Sequence, residues 1–198
     1  KRRVITLGAT GSILGSVESG VFVAADRTWF YSGADIAIAD PIEKLAFGAS
    51  SGTVFDHPTT TSPVVGWYSD EGIVFGASDG SVTLPQRDKG FIAPVATSGS
   101  AWVRQRDGMA HGVISLDGAA SYNKQVSTDF TAARIRYDDD ATCVVLNLTN
   151  GATSRYASWH FNSYANFEGD EYGLDSADLS LLEGADDGGT AIQAAVDW

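Results

Sequence analysis

Apolar and polar positions alternate along this chain in short bursts, each closed by Gly, Pro, Asn or Asp. Residues 20–33, GVFVAADRTWFYSG, set the pattern: an apolar run, a tight turn at Asp26 and Arg27, then a second run rich in aromatics. The outline recurs at 72–85 (GIVFGASDGSVTLP) and at 169–184 (GDEYGLDSADLSLLEG). Two half-buried runs joined by turn residues predict a β-hairpin. A chain that reuses one hairpin at intervals predicts stacking or fanning of that unit about an axis.

Taken in order, residues 4–7 and 12–17 read as two short strands, and the first repeated hairpin has strands over 21–25 and 28–32. Its faces alternate: Phe22, Ala24, Trp29 and Tyr31 cannot all point the same way as Val21, Val23 and Phe30. A strand apolar on both faces belongs between layers. Residues 35–46 are the least strand-like; Pro41 breaks any longer helix there and leaves room for a helical turn over 41–45. A brief TVF strand at 53–55 precedes strands over 64–68, 73–76 and 81–84. Further strands are expected over 91–96, 101–106, 109–116 and 131–137. The strongest hairpin signal, Asn150 followed by Gly151, joins strands over 141–148 and 152–161. The last repeated unit leads to an exit strand within 185–198.

About fourteen short strands without a convincing amphipathic helix mean an all-β chain. Gly20, Gly72, Gly108 and Gly169 open units 52, 36 and 61 residues apart, straddling the ~40–50 residues of a four-stranded propeller blade. The expected architecture is a β-propeller-like array of three to four small antiparallel sheets in a single domain over 1–198, with a β-sandwich as the alternative. The first residues, KRRVITLG, carry neither an initiator Met nor a long apolar core. Lys1 reads as a cut, and a longer parent protein that completes the fold is expected.

Charge narrows the partners. Thirteen Lys and Arg against 25 Asp and Glu give a formal net charge of −12, which disfavours nucleic-acid phosphates and anionic lipid. Apolar runs are far shorter than the roughly 20 residues of a membrane-crossing helix, so membrane insertion is not expected. The single cysteine, Cys143, allows neither an intrachain disulfide nor a Cys-based zinc site.

Candidate chemistry is sparse. His57, His111 and His160 have no second His or Cys at metal-ligand spacing and read as structural. No GxSxG elbow marks a nucleophile. The acids at 138–140, Asp170, Glu171, Asp175, Asp178, Asp186 and Asp187 lack the EF-hand order and read as turn caps, although any two brought close in space could act as a glycosidase pair. The stretch ASDGS at 77–81 resembles the Asp-box turn of sialidase propellers but lacks its trailing aromatic. No enzyme, cofactor or metal is therefore expected. Aromatics are the more informative group. Trp29, Tyr31, Trp67, Tyr68, Trp102 and Trp159 lie in or beside strands, where they serve as core or as anchors of a subunit interface. A sugar-stacking platform is a further use for such residues.

Three ordered passages, VFVAADRTWFYSG (21–33), GWYSDEGIVFGASDGSVTL (66–84) and TSRYASWHFNSYANFEGDEYGLDSADLSLLEGADDGGTAI (153–192), resemble a group of tail-associated virion proteins of tailed bacteriophages. The likeness covers most of residues 17–195. It implies a propeller-like domain in a structural component such as a tail tip, nozzle or hub, made in the host cytoplasm and placed in the virion tail. It further implies a homo-oligomeric ring with other tail proteins as neighbours, and brings no catalytic residues. The alternative is a receptor- or glycan-binding domain at the tail end, with a host receptor as partner.

Overall fold

The computed structural model describes residues 11–33, 40–58, 61–87, 93–106, 108–117, 121–122, 141–157, 159, 161–182, 186–187, 190–191 and 194–196. All regular structure among them is β. The first sheet is a meander of β1 (Ser12–Val17), β2 (Gly20–Ala24), β3 (Thr28–Ser32) and β4 (Pro41–Leu45). The second repeats it with β5 (Phe55–Asp56), β6 (Val65–Ser69), β7 (Gly72–Gly76) and β8 (Val82–Thr83). Then come β9 (Pro94–Val95), the long strands β10 (Gly99–Arg106) and β11 (Met109–Leu116), and β12 (Ser121–Tyr122), which pairs with β9. The third sheet joins β10 and β11 to β13 (Ala141–Asn147) and β14 (Thr153–Ala157). A fourth, of three strands, holds β15 (Ser163–Phe167), β16 (Asp170–Leu174) and β17 (Leu179–Leu181). After the short pair β18 (Asp186–Asp187) and β19 (Thr190–Ala191), β20 (Ala194–Val196) returns to pair with β14. The named strands pair antiparallel, and none of the sheets closes on itself.

One expectation changes. Residues 41–45 form a strand, not a helical turn: Pro41 opens an edge strand, where its missing N–H removes no needed ladder bond. Within the stretch read as an exit strand, Ala194, Ala195 and Val196 turn back onto Tyr156, Arg155 and Ser154. The expected strands over 4–7 and 131–137 lie outside the described residues.

The sheets stack in chain order because their strands are apolar on both faces. Phe22, Ala24, Phe30 and Leu14 of the first sheet meet Val65, Trp67 and Val74 of the second. The ring of Phe22 lies 4.7 Å from Phe30 and 5.6 Å from Trp67, all three buried. Period-two alternation then turns Tyr68, Ile73 and Phe55 to the opposite face, onto Ile114, Leu116, Val144 and Leu146 of the third sheet. The far side of the third sheet presents Val113, Cys143 and Val145 to Trp159, Phe161, Tyr164 and Leu182 beside the fourth. Small residues set the spacing: a Cβ on Gly66 would fall 2.4 Å from the Phe55 ring, and one on Gly76 2.6 Å from Phe22. Four layers with three apolar seams result.

Candidate functional site

The aromatic residues singled out from the sequence divide by position. Trp67 and Tyr68 point to opposite faces of β6, each fully buried between sheets of the same chain. They are core anchors rather than surface ones, because β6 is hydrogen-bonded on both edges and covered on both faces. The Tyr68 hydroxyl is used internally, donating to the Pro94 carbonyl at 2.8 Å. Trp159 is likewise buried, packed edge-on to Tyr156 at 5.0 Å. Trp102 is half-buried and stacks on Tyr164 at 5.4 Å and 10° between the third and fourth sheets. Trp29 and Tyr31 share the outer face of the first sheet, Trp29 half-buried and Tyr31 buried.

The seam between the third and fourth sheets holds a polar cluster. Ser115 Oγ donates to the Trp159 carbonyl at 3.0 Å and shares a short hydrogen bond with the Tyr164 hydroxyl. Burial pushes the Cys143 thiol up to about 12 and the Tyr164 phenol well above its usual range. These groups stay protonated and enclosed, so the cluster ties sheets together and offers no nucleophile. Nearby, Arg104 of β10 reaches Glu171 of β16 with an N–O distance of 2.6 Å, both side chains largely buried. A small cavity of about 90 Å³ adjoins Arg104, Arg106, His111 and Tyr156. Burial, aided by the Arg104 charge, holds His111 below the usual imidazole range, so its ring is neutral at pH 7.

Some of the histidines and acids hold local structural positions, but Asp170 and Glu171, read as turn caps, lie in β16, and Glu171 is the buried partner of Arg104. His57 packs edge-on against Phe75 at 5.2 Å, and burial lowers its pKa. His160 and the acids at 138–140 lie outside the described residues. Asp79 accepts from the Ser81 N–H at 2.8 Å, its pKa lowered by hydrogen bonds from the Ser81 side chain and then its N–H, and Asp175 accepts from Ser176 Oγ at 2.9 Å. Such bonds make them turn caps. No cluster of three metal-ligating side chains occurs among the described residues. Asp26 and Asp70 both line an open hollow of about 260 Å³ with Ser50 and Thr97, without an aromatic platform. No described helix is long and apolar enough to cross a membrane.

The feature that sequence reasoning passed over is the outer face of the fourth sheet. Register places Ala165, Phe167, Tyr172, Leu174, Leu179 and Leu181 together there, with Ser163 and Asp170 on the same side, opposite the side that meets the third sheet. Phe167 is 64% exposed, Leu174 44%, Leu179 67% and Leu181 51%. At the other end of the stack, Ile13 is 74% exposed on the outer face it shares with Val23 and Trp29. The consecutive leucines Leu181 and Leu182, which face opposite ways, were the available signal of a strand apolar on both sides.

The chain matches no protein-family model, no curated protein and no solved structure.

Proposed function

We propose that this chain is a non-catalytic structural subunit of a bacteriophage tail, at a tip, nozzle or hub, acting by assembly. Its meander sheets serve as blades of a propeller-like array. Four successive layers favour that arrangement over a two-sheet sandwich. The virion setting rests on the resemblance of the three passages quoted above.

One observation carries the assembly mode: the outer face of the fourth sheet exposes Phe167, Leu174, Leu179 and Leu181 together, and Ile13 is exposed at the other end of the described stack. A solvated antiparallel sheet is polar on its open side. Exposed apolar patches on the order of a few hundred Å² mark interaction surfaces. The acidic charge sits largely on turns, where it keeps a chain with such faces soluble.

Immunogold labelling of purified, negatively stained virions tests the setting. Label at the tail or its tip in every particle is expected. Intact particles without label, with the protein free in the lysate, overturn the structural reading and favour a soluble receptor- or glycan-binding protein.

A further inference from the structure

The two ends of the stack differ in a way that selects a partner. Every seam inside the chain is heterologous: the far face of one sheet meets the near face of the next, in chain order. The fourth sheet presents a far face of the same kind with no other described sheet upon it, Phe167 and Leu179 standing most exposed. The first sheet presents a near face on which Ile13 is exposed, Val21, Val23 and Trp29 are half-buried and Tyr31 is buried.

Charge decides between the two ways such faces could pair. From Phe161 to Trp198 the sequence holds nine Asp and Glu and neither Lys nor Arg. Glu168, Asp170, Asp175 and Asp178 belong to the strands and turns of the fourth sheet itself. Two fourth sheets meeting face to face would bring these carboxylates together, a like-charge contact that opposes pairing. Counted the same way, the described strands and turns of the first sheet hold Glu18, Asp26, Asp40 and Glu43 against Arg27 and Lys44, a smaller excess, and Glu43 is paired with Arg27 at 2.7 Å.

We infer that the apolar outer face of β15–β17 in one copy docks on the outer face of β1–β3 in a second copy, continuing the stack head to tail. The inference rests on the assembly reading above and names its surface and partner. Heterologous contacts of this kind give a ring where the rotation closes and a filament where it does not. Three strands of about five residues, ~4.8 Å apart, give a footprint on the order of 250 Å². That is well below the ~800 Å² per partner of a standard interface. One contact is therefore weak, and a covalent trap is the suited readout.

The test uses the full chain carrying single added cysteines, Ile13→Cys and Leu179→Cys, both at exposed positions. Buried Cys143 is too enclosed to compete. Equal amounts of the two variants are mixed under mild oxidation, beside each variant alone and beside Ile13→Cys mixed with Asp117→Cys as a collision control. The mixture is expected to form disulfide dimer at least about tenfold faster than the control, the gain that holding two thiols together provides. Adding Phe167→Asp to the Leu179→Cys partner is expected to return the rate to that of the control. Leu179→Cys cross-linking with itself as fast as the mixture does overturns the proposal in favour of face-to-face pairing. Cross-linking at the control rate in every arm overturns it in favour of a different protein on these faces. Both results are read on purified protein, so they stand apart from the virion labelling, whose failure would sink only the tail setting.

Discussion

Arg104 and Glu171 join the third sheet to the fourth through an ion pair of 2.6 Å, their side chains only 14% and 8% exposed. Sixty-seven residues of sequence separate them, and no local pattern links them. The pair fixes how the fourth sheet sits, and so which of its faces is left outward. Glu171→Gln leaves the buried guanidinium charge without its carboxylate and is expected to destabilise the chain by about 3 kcal/mol. Urea unfolding measures this. Replacing both partners by apolar residues, Arg104→Met with Glu171→Leu, should restore most of the loss, and a double variant as unstable as the single one would refute that reading.

Trp67 and Trp29 separate core from surface. Trp67→Ala empties a fully enclosed site between the first and second sheets and is expected to cost about 3–5 kcal/mol. Trp29→Ala, on the outer face, should cost less than half of that. Equal losses in denaturant midpoint, at unchanged slope, would contradict the layer assignment.

Gly76 lies against the Phe22 ring, and a Cβ there would sit 2.6 Å from it. Gly76→Ala is expected to lose about 1–3 kcal/mol through overpacking. Combined with Phe22→Leu, the alanine should do less harm than it does alone. Additive losses in the double variant would show that the two do not touch.

Glu168 holds φ at 54°, followed by Gly169 at 96°, the positive pair of a two-residue hairpin turn. Glutamate is a poor fit for the left-handed region, and asparagine a good one. Glu168→Asn is expected to stabilise the chain by about 0.5–1 kcal/mol. Thermal unfolding gives the sign directly, and a lowered Tm would count against this turn.

His57 and His111 both have pKa values held below the ordinary imidazole range, chiefly by burial. The unfolded chain therefore takes up protons first as pH falls. Stability is full above the unfolded value of about 6.5 and declines below it, towards the folded value. Both rings are only half-buried, so the decline is small. The Tm should be flat from pH 8 to 7 and fall between pH 6.5 and 5.5, less so in a His57→Gln, His111→Gln variant. A variant with an undiminished slope would remove the histidines as the cause.

The sequence by itself determined the local elements, since a strand and its turn are read from neighbouring residues. Asp26 with Arg27, and Asn150 with Gly151, placed hairpins where they occur, whereas the hairpin over 21–32, expected between layers, forms an end of the described stack. Pro41 misled because a proline forbids a helix interior but is tolerated on an edge strand, and edge position is a tertiary property. Which aromatics face water was decided only by the stack. Trp67 and Phe167 each lie on an apolar strand face, yet one is enclosed because a sheet packs on that side and the other is exposed because no described sheet does. Alternation specifies that a face is apolar; only the placement of whole sheets, set by long-range contacts such as Arg104 with Glu171, specifies what covers it.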